Sequence, residues 1–257
     1  MKITILGCGG SGGVPMIGGQ WGACDPANPK NRRLRPSILV EEGGSTLLVD
    51  TSPDLREQLL TNNINKIDAV LYTHAHADHL HGIDDLRGIN KLMKQPIPIY
   101  ADQATLTEIR TAFGYVFQPI NAEKYGYFRP QLTPNEIAAG QKFMLHNLEI
   151  TPFNQDHGVC STLGFRFNAF AYSTDVVNMP EESFTALAGV KLWVVDCFVR
   201  EQHFTHAHLD KTLAWIERVK PERAILTHMG VRLDYATLKK ELPPHVEPAY
   251  DGMAIEI

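Results

Sequence analysis

The nine residues 73–81, THAHADHLH, place four histidines and one aspartate directly after an apolar run that is typical of a buried strand. Because side chains alternate along an extended chain, His74 and His76 point to one side, while Asp78 and His79 follow from a turn into a short helix. Zinc, manganese and iron all accept neutral imidazoles and carboxylates as ligands at physiological pH. The stretch therefore predicts a metal site at the end of a strand.

Three isolated positions downstream supply further candidate ligands, so that seven residues fall into two sets sharing one carboxylate. They are His74, His76 and His157 for one ion, Asp78, His79 and His228 for a second, and Asp175 bridging both. Seven ligands exceed one tetrahedral shell, and the lack of thiolates argues against a zinc-ribbon type of site. Two ions about 3.5–4 Å apart can share a water molecule, lower its pKa and clamp an in-line displacement at phosphorus. Hydrolysis is the expected chemistry.

Two weaker assignments concern residues outside this set of seven ligands. Asp50 ends a predicted strand, where it either orients a ligating histidine or forms a local turn. Arg87, or the basic patch at residues 30–35, is a candidate for contact with a non-reacting phosphate. A solvated loop is the alternative for the patch.

Composition places the chain among ordinary globular proteins. Of its 257 residues, 44% are hydrophobic and 21% are charged, which fits one domain covering residues 1–257. No apolar run approaches the roughly 18 residues of a membrane span, and the start does not resemble a signal peptide. The four cysteines have no paired spacing, which suits free thiols in a reducing compartment. We therefore expect a cytoplasmic protein that does not bind a membrane.

A glycine-rich segment, GCGGSGG at residues 7–13, contains the pattern G-x-G-x-x-G after a predicted strand. A dinucleotide site would need a helix to begin at once, but Val14-Pro15 and further glycines and prolines follow. We interpret the segment as a loop at the edge of a cleft. Farther along, residues 37–40 and 46–49 predict a hairpin, residues 83–93 have helical spacing, and Leu209 begins an amphipathic helix.

The motif His74-Ala75-His76-Ala77-Asp78-His79, together with the later strand-end ligands, resembles the signature of the metallo-β-lactamase superfamily. That resemblance implies a four-layer αββα sandwich with the metals at one edge of two central sheets. Further segments are similar to the PhnP-type phosphodiesterases, which hydrolyse cyclic ribose phosphates. These segments are residues 6–15, Trp21-Gly22, His206, residues 225–228 and residues 251–253.

The same resemblance implies that His206 is a general acid or a phosphate contact. Considered from the residues alone, a histidine just before a helix can protonate a departing alkoxide, or it can simply be exposed to solvent. One segment departs from the family pattern. Relatives with a structural zinc hold it with several cysteines near the Trp-Gly pair, whereas this chain has only Cys24 there. We predict no structural zinc.

We expect a hydrolase with two divalent ions, zinc or manganese with iron as a further option, that cleaves a small phosphate ester, such as a cyclic phosphate, of ribose or a nucleotide. In that reaction Asp78 and Asp175 hold the ions and orient the attacking hydroxide. A tRNA-processing endonuclease would need an extended basic arm, which the net charge of −5 disfavours, so nucleic acid is not an expected partner. A lactamase or thioester hydrolase, a non-catalytic metal- or nucleotide-binding module, and a homodimer remain open.

Overall fold

The computed structural model describes all 257 residues and contains two seven-stranded sheets. In chain order the strands are β1 (Lys2–Gly7), β2 (Ser37–Glu42), β3 (Ser45–Val49), β4 (Ala69–Leu71), β5 (Ile97–Ala101), β6 (Leu132–Glu136), β7 (Phe143–Leu145), β8 (Leu148–Asp156), β9 (Ser161–Phe167), β10 (Phe170–Ser173), β11 (Leu192–Asp196), β12 (Arg223–Thr227), β13 (Val246–Pro248) and β14 (Met253–Glu256). The first sheet has the order β14-β1-β2-β3-β4-β5-β6. The second has the order β13-β12-β11-β10-β9-β8-β7.

Helices lie against the outer faces of these sheets. They are α1 (Leu55–Thr61), α2 (Ala77–Leu80), α3 (Leu86–Met93), α4 (Gln103–Phe113), α5 (Ala122–Tyr125), α6 (Glu181–Leu187), α7 (Leu209–Val219) and α8 (Tyr235–Glu241), with short 3₁₀ turns at Pro29–Asn31, Ile83–Asp85 and Gly114–Phe117. None of these helices has the length and apolar character needed to cross a membrane.

The strands of the first sheet are apolar on both faces, and each face packs against a different partner. In β3, Leu47 and Val49 join the core shared with the second sheet, whereas Leu48 joins the core formed with α1, α3 and α4. Continuous apolar strands of this kind are typical of sheets covered on both sides. The arrangement is the predicted αββα sandwich, and that prediction is confirmed.

Strand direction brings the polar ends of several strands to one edge of the molecule. β3 and β4 are parallel in the first sheet, and β10, β11 and β12 are parallel in the second. Ligands of open sheets bind outside the carboxyl ends of parallel strands. Residues that directly follow these strands therefore meet in one place.

Most local predictions agree with the structure. β2 and β3 form the predicted antiparallel hairpin, and α7 begins at Leu209 as expected. The helix predicted for residues 83–93 is split, because Ile83–Asp85 forms a 3₁₀ turn before α3 begins at Leu86.

The buried carboxylate of Asp251 connects the glycine-rich loop to the end of the chain. Its Oδ1 accepts the backbone N–H of Cys8 at 3.1 Å, and its Oδ2 accepts the N–H of Leu34 at 2.6 Å. Burial raises the pKa of Asp251 to about 7, against the opposing effect of these hydrogen bonds. This carboxyl group therefore binds a proton more tightly in the folded chain than in the unfolded chain.

We predict that Asp251 makes the free energy of unfolding depend on pH. Because its pKa is raised on folding, its contribution is fully present at acidic pH and is lost as pH rises through about 7. The wild type should lose about 2–3 kcal/mol between pH 5 and pH 8 through this group. Asp251→Asn should flatten that part of the profile, measured by urea unfolding at several pH values. An unchanged slope in the variant would contradict the prediction.

Candidate metal centre

The motif at residues 73–81 leaves the first sheet at the end of β4 and turns into the four-residue helix α2. His76 has an extended backbone, with φ −62° and ψ 152°, and stands at the N-cap position of α2. Asp78 lies in the first turn, where a carboxylate is favoured by the helix dipole. The extended segment and the helix thus present their side chains from two directions, as predicted.

Asp175 lies between two groups of side chains and offers one carboxylate oxygen to each. Its Oδ1 is 3.8 Å from Nε2 of His74 and 3.4 Å from Nε2 of His157. Its Oδ2 is 2.9 Å from Nε2 of His79 and 3.2 Å from Nε2 of His228. A single buried carboxylate therefore lies close to both predicted ligand sets.

The remaining candidate ligands complete the two groups. The ligand atoms of each group lie within 4.8 Å of one another: His74, His76, His157 and Asp175 in one, and Asp78, His79, Asp175 and His228 in the other. All seven predicted positions are thus brought together, and only His76 is exposed. Imidazole and carboxylate donors in this number suit zinc, manganese or iron.

The outer nitrogens of two histidines are held by neighbouring groups. Asp50 accepts a hydrogen bond from Nδ1 of His79 at 2.7 Å, and it is itself fixed by the N–H and the hydroxyl of Thr73, both at 2.8 Å. His157 donates from Nδ1 to the carbonyl of Thr205 at 2.7 Å. Contacts of this kind select the tautomer that leaves Nε2 free for a metal.

Three residues of the centre have left-handed backbones, an uncommon conformation for side chains with a Cβ atom. Their φ angles are 64° for Asp50, 54° for Asp175 and 56° for His228. Each residue follows directly after a strand, or one residue beyond it, so the chain bends sharply to turn the side chain inward. Backbone strain of this kind concentrates at functional sites.

Charges within the centre shift the pKa values in two directions. Burial lowers the pKa of His74 and His157, which favours the neutral imidazoles that bind metals. Burial also acts on His228, but the carboxylates of Asp175 and Asp78 overcome it and raise its pKa to about 9. Although burial opposes the effect, His228 and His79 hold the pKa of Asp175 well below its usual range. The group formed by Asp78, His79, Asp175 and His228 therefore attracts positive charge strongly.

Several buried polar atoms of the centre have no hydrogen-bond partner. They are Nε2 of His74, Nε2 of His79, Oδ2 of Asp78, Oδ1 of Asp196 and both ring nitrogens of His228. Unsatisfied buried polar atoms are rare in proteins, and here they converge on one volume lined by nitrogen and oxygen donors. The residues present therefore fit divalent cations.

His206 lies beside both ligand groups and is supported by a residue that the sequence analysis missed. Its ring centroid is 4.8 Å from that of His157 and 4.7 Å from that of His228. Its Nδ1 is 3.2 Å from Oδ2 of the fully buried Asp196. Asp196 is the last residue of β11, so the reasoning that selected Asp50 at a strand end applies equally to Asp196.

Several of the arginines considered as phosphate contacts have partners within the chain, and their role toward a phosphate stays a prediction. Arg87 lies on α3 beside Asp84 at 3.6 Å and lines neither cavity next to the centre. In the basic patch, Arg33 is only 1% exposed and donates to the carbonyls of Leu233 at 2.7 Å and Gly230 at 3.4 Å. Arg35 pairs with Asp54 at 2.9 Å. The patch therefore does not form one solvated basic surface.

Cys24 also contacts Arg33 and the loop after His228. Its thiol lies 3.5 Å from the carbonyl of Val231 and 3.9 Å from Nη1 of Arg33. The guanidinium of Arg33 thus joins the segment after Gly22 to the loop after His228. The absence of a structural zinc stays a prediction.

Two central sheets between helices, with a histidine and aspartate centre at the strand ends, define a metallo-β-lactamase fold. The family model described as a beta-lactamase superfamily domain matches residues 45–229, and the chain belongs to that superfamily. Among solved structures it is similar to a diphosphatase of the PhnP family, with a TM-score of 0.89 and 32% identity. That alignment covers 100% of this chain and 96% of the other. The predicted resemblance to PhnP-type proteins is confirmed.

Two curated relatives differ in how much of their length the chain matches. An octanoyltransferase of Porphyromonas gingivalis is 32% identical over 98% of this chain, but the chain spans only 51% of that protein. The anti-Pycsar protein Apyc1 of Paenibacillus harenae is 29% identical over 77% of this chain and 84% of its own length.

We predict that Asp50→Asn lowers the affinity for divalent metal about 10- to 100-fold, because His79 loses the carboxylate that fixes its tautomer. Competition with a chromogenic chelator measures the affinity. Asp68→Asn is the matched control, since Asp68 accepts the N–H of Thr46 at 2.8 Å away from the centre. Equal affinities of the two variants would show that Asp50 does not support the ligand.

Proposed function

We propose that this protein is a metal-dependent phosphodiesterase with two divalent ions per chain, acting on a small phosphate ester such as a cyclic phosphate of ribose or a nucleotide. The observation that carries the proposal is the position of Asp175, whose two oxygens face separate groups of histidines. Its similarity over nearly the whole chain to a diphosphatase of the PhnP family supports chemistry at phosphorus.

When bound, a pair of divalent ions would supply charge neutralisation for a phosphate and lower the pKa of a water molecule in the site. His74, His76 and His157 would hold one ion, and Asp78, His79 and His228 the other. Asp175 would be shared by both. The two carboxylates also provide acceptors that can orient the attacking water.

His206 is placed to act on the leaving group. Asp196 accepts from Nδ1 of His206, so it fixes the orientation of the ring. Nε2, at the other side of the ring, then carries the transferable proton. As water adds to phosphorus and gives up a proton to solvent, the bond to the leaving oxygen breaks with its electron pair. That oxygen takes the proton from His206, and solvent then returns a proton to the imidazole.

Turnover of bis(p-nitrophenyl) phosphate by protein reconstituted with manganese or zinc tests the proposal. We expect cleavage that is abolished by a chelator and restored by either metal, because the candidate ligands are nitrogen and oxygen donors. A panel of cyclic phosphates, a β-lactam and an acyl thioester runs in parallel. Cleavage of the acyl substrates with phosphodiesters left intact would reject the phosphorus-centred function.

We predict that His206→Ala separates good from poor leaving groups. Release of p-nitrophenolate needs little protonation, whereas an alkoxide does, so kcat for a cyclic ribose phosphate should fall about 10²- to 10⁴-fold. Asp196→Asn should show the same pattern with a smaller loss and a displaced pH profile. His208→Ala is the control, because His208 makes no side-chain cap to α7. Equal losses on both substrate types would remove the acid role.

A further inference from the structure

Two cavities border the metal centre and share no lining residue. The first, which we call the His76 cavity, has a volume of about 580 Å³ and is lined by His74, His76 and the start of α4. The second, the glycine-loop cavity, has a volume of about 450 Å³. It is lined by residues 10–13, by Met16, and by the segments at 198–203 and 230–232. Both volumes suit small-molecule binding.

The glycine-loop cavity adjoins the proposed acid. The ring centroid of Phe198 is 4.6 Å from that of His206, and the ring centroid of His203 is 5.4 Å from it. The His76 cavity is instead walled by two candidate ligands of the first ion. An in-line displacement places the attacking and leaving oxygens on opposite sides of phosphorus. Since the acid must reach the leaving oxygen, the glycine-loop cavity lies on the side of the leaving group.

The walls of the glycine-loop cavity combine flat or apolar side chains with backbone donors. Phe198 and His203 have ring centroids 5.2 Å apart, and Met16 also lines the cavity, together with the polar side chains of Glu201, Gln202 and Arg232. The N–H groups of Ser11 and Gly12 donate to no backbone acceptor in the chain. A planar heteroaromatic ring, with apolar faces and acceptor atoms at its edge, matches this combination.

The glycine at position 10 is required by this arrangement. A Cβ atom there would lie 2.5 Å from the ring of Phe198 and 3.6 Å from Cε1 of His228. A side chain would therefore displace the ring of Phe198, which lines the cavity. The loop can approach the ring closely only because it has no side chain at this point.

We propose that the glycine-loop cavity binds a nucleobase, so that the substrate is a nucleotide phosphodiester and not a base-free ribose phosphate. The inference rests on the proposed phosphodiesterase and specifies its substrate class. The base occupies the cavity between Met16 and the rings of Phe198 and His203, and the sugar that carries it provides the leaving oxygen near His206.

The test compares two substrates that differ only in the base: adenosine 3′,5′-cyclic phosphate and ribose 3′,5′-cyclic phosphate. We expect the wild type to prefer the nucleotide about tenfold or more in kcat/KM, as stacking of one base on aromatic side chains allows. Met16→Trp fills the cavity and should abolish the preference. Thr107→Trp fills the His76 cavity instead and should keep it. Met16 is 39% exposed and Thr107 is also exposed, so both variants should fold.

Binding of adenosine to the metal-free protein gives a readout without turnover. Ligand-observed NMR should detect binding to the wild type and to Thr107→Trp, and binding about tenfold weaker to Met16→Trp. Gln202→Trp serves as a second filling variant if circular dichroism shows that Met16→Trp is misfolded. If phosphodiesters are cleaved without preference for the base, or if Met16→Trp retains the preference, the base cavity is wrong. If adenosine binds in the expected pattern but no phosphodiester is cleaved, the cavity stands and the phosphodiesterase proposal fails.

Discussion

The centre depends on one buried carboxylate that must be neutralised from two sides. Asp175 is almost inaccessible to water, and each of its oxygens faces two imidazole nitrogens. A buried charge without compensation is costly, so positive charge has to be supplied by cations or by protons on the imidazoles. The neighbouring carboxylates raise the pKa of His228 to about 9 for the same reason, because they favour a positive charge beside them. Bound cations would supply that charge while the imidazoles stay neutral and act as ligands.

The sheets make this convergence possible. Ligands that are far apart in sequence follow strands whose carboxyl ends share one edge, and the strands themselves are held by apolar packing on both faces. The connecting loops are tied as well: Asp251 holds the glycine-rich loop, and the buried Arg33 holds the loop after His228. Removing the guanidinium would leave the buried carbonyl of Leu233 without a donor, at a cost of about 1–3 kcal/mol, while the carbonyl of Gly230 keeps the N–H of Leu233. Rigid support of this kind keeps the ligand atoms in place.

Much of the fold and of the ligand set could be predicted from the sequence, because the motif at residues 73–81 has a fixed spacing and the other ligands follow apolar strands. Asp196 was missed because its importance comes from a contact with His206, which spacing alone does not reveal. Arg33 was considered only as part of a basic patch, either a phosphate contact or a solvated loop, because its acceptors, Gly230 and Leu233, lie about 200 residues away in the chain. The cavities depend on loop packing and had no sequence signal beyond the glycines.

The candidate metal ligands and the residues that line the glycine-loop cavity are different residues of neighbouring loops. None of the candidate metal ligands lines that cavity, yet Gly230 follows His228 by two residues, and a Cβ atom at Gly10 would lie 3.6 Å from Cε1 of His228. Phe198 connects the glycine-loop cavity to His206. Its ring packs on His206, its N–H donates to Ala207, and its carbonyl accepts from Gly230. Under the proposal above, a base in the cavity would contact the same ring that packs against the proposed acid, because Phe198 lines the cavity and lies 4.6 Å from the ring of His206.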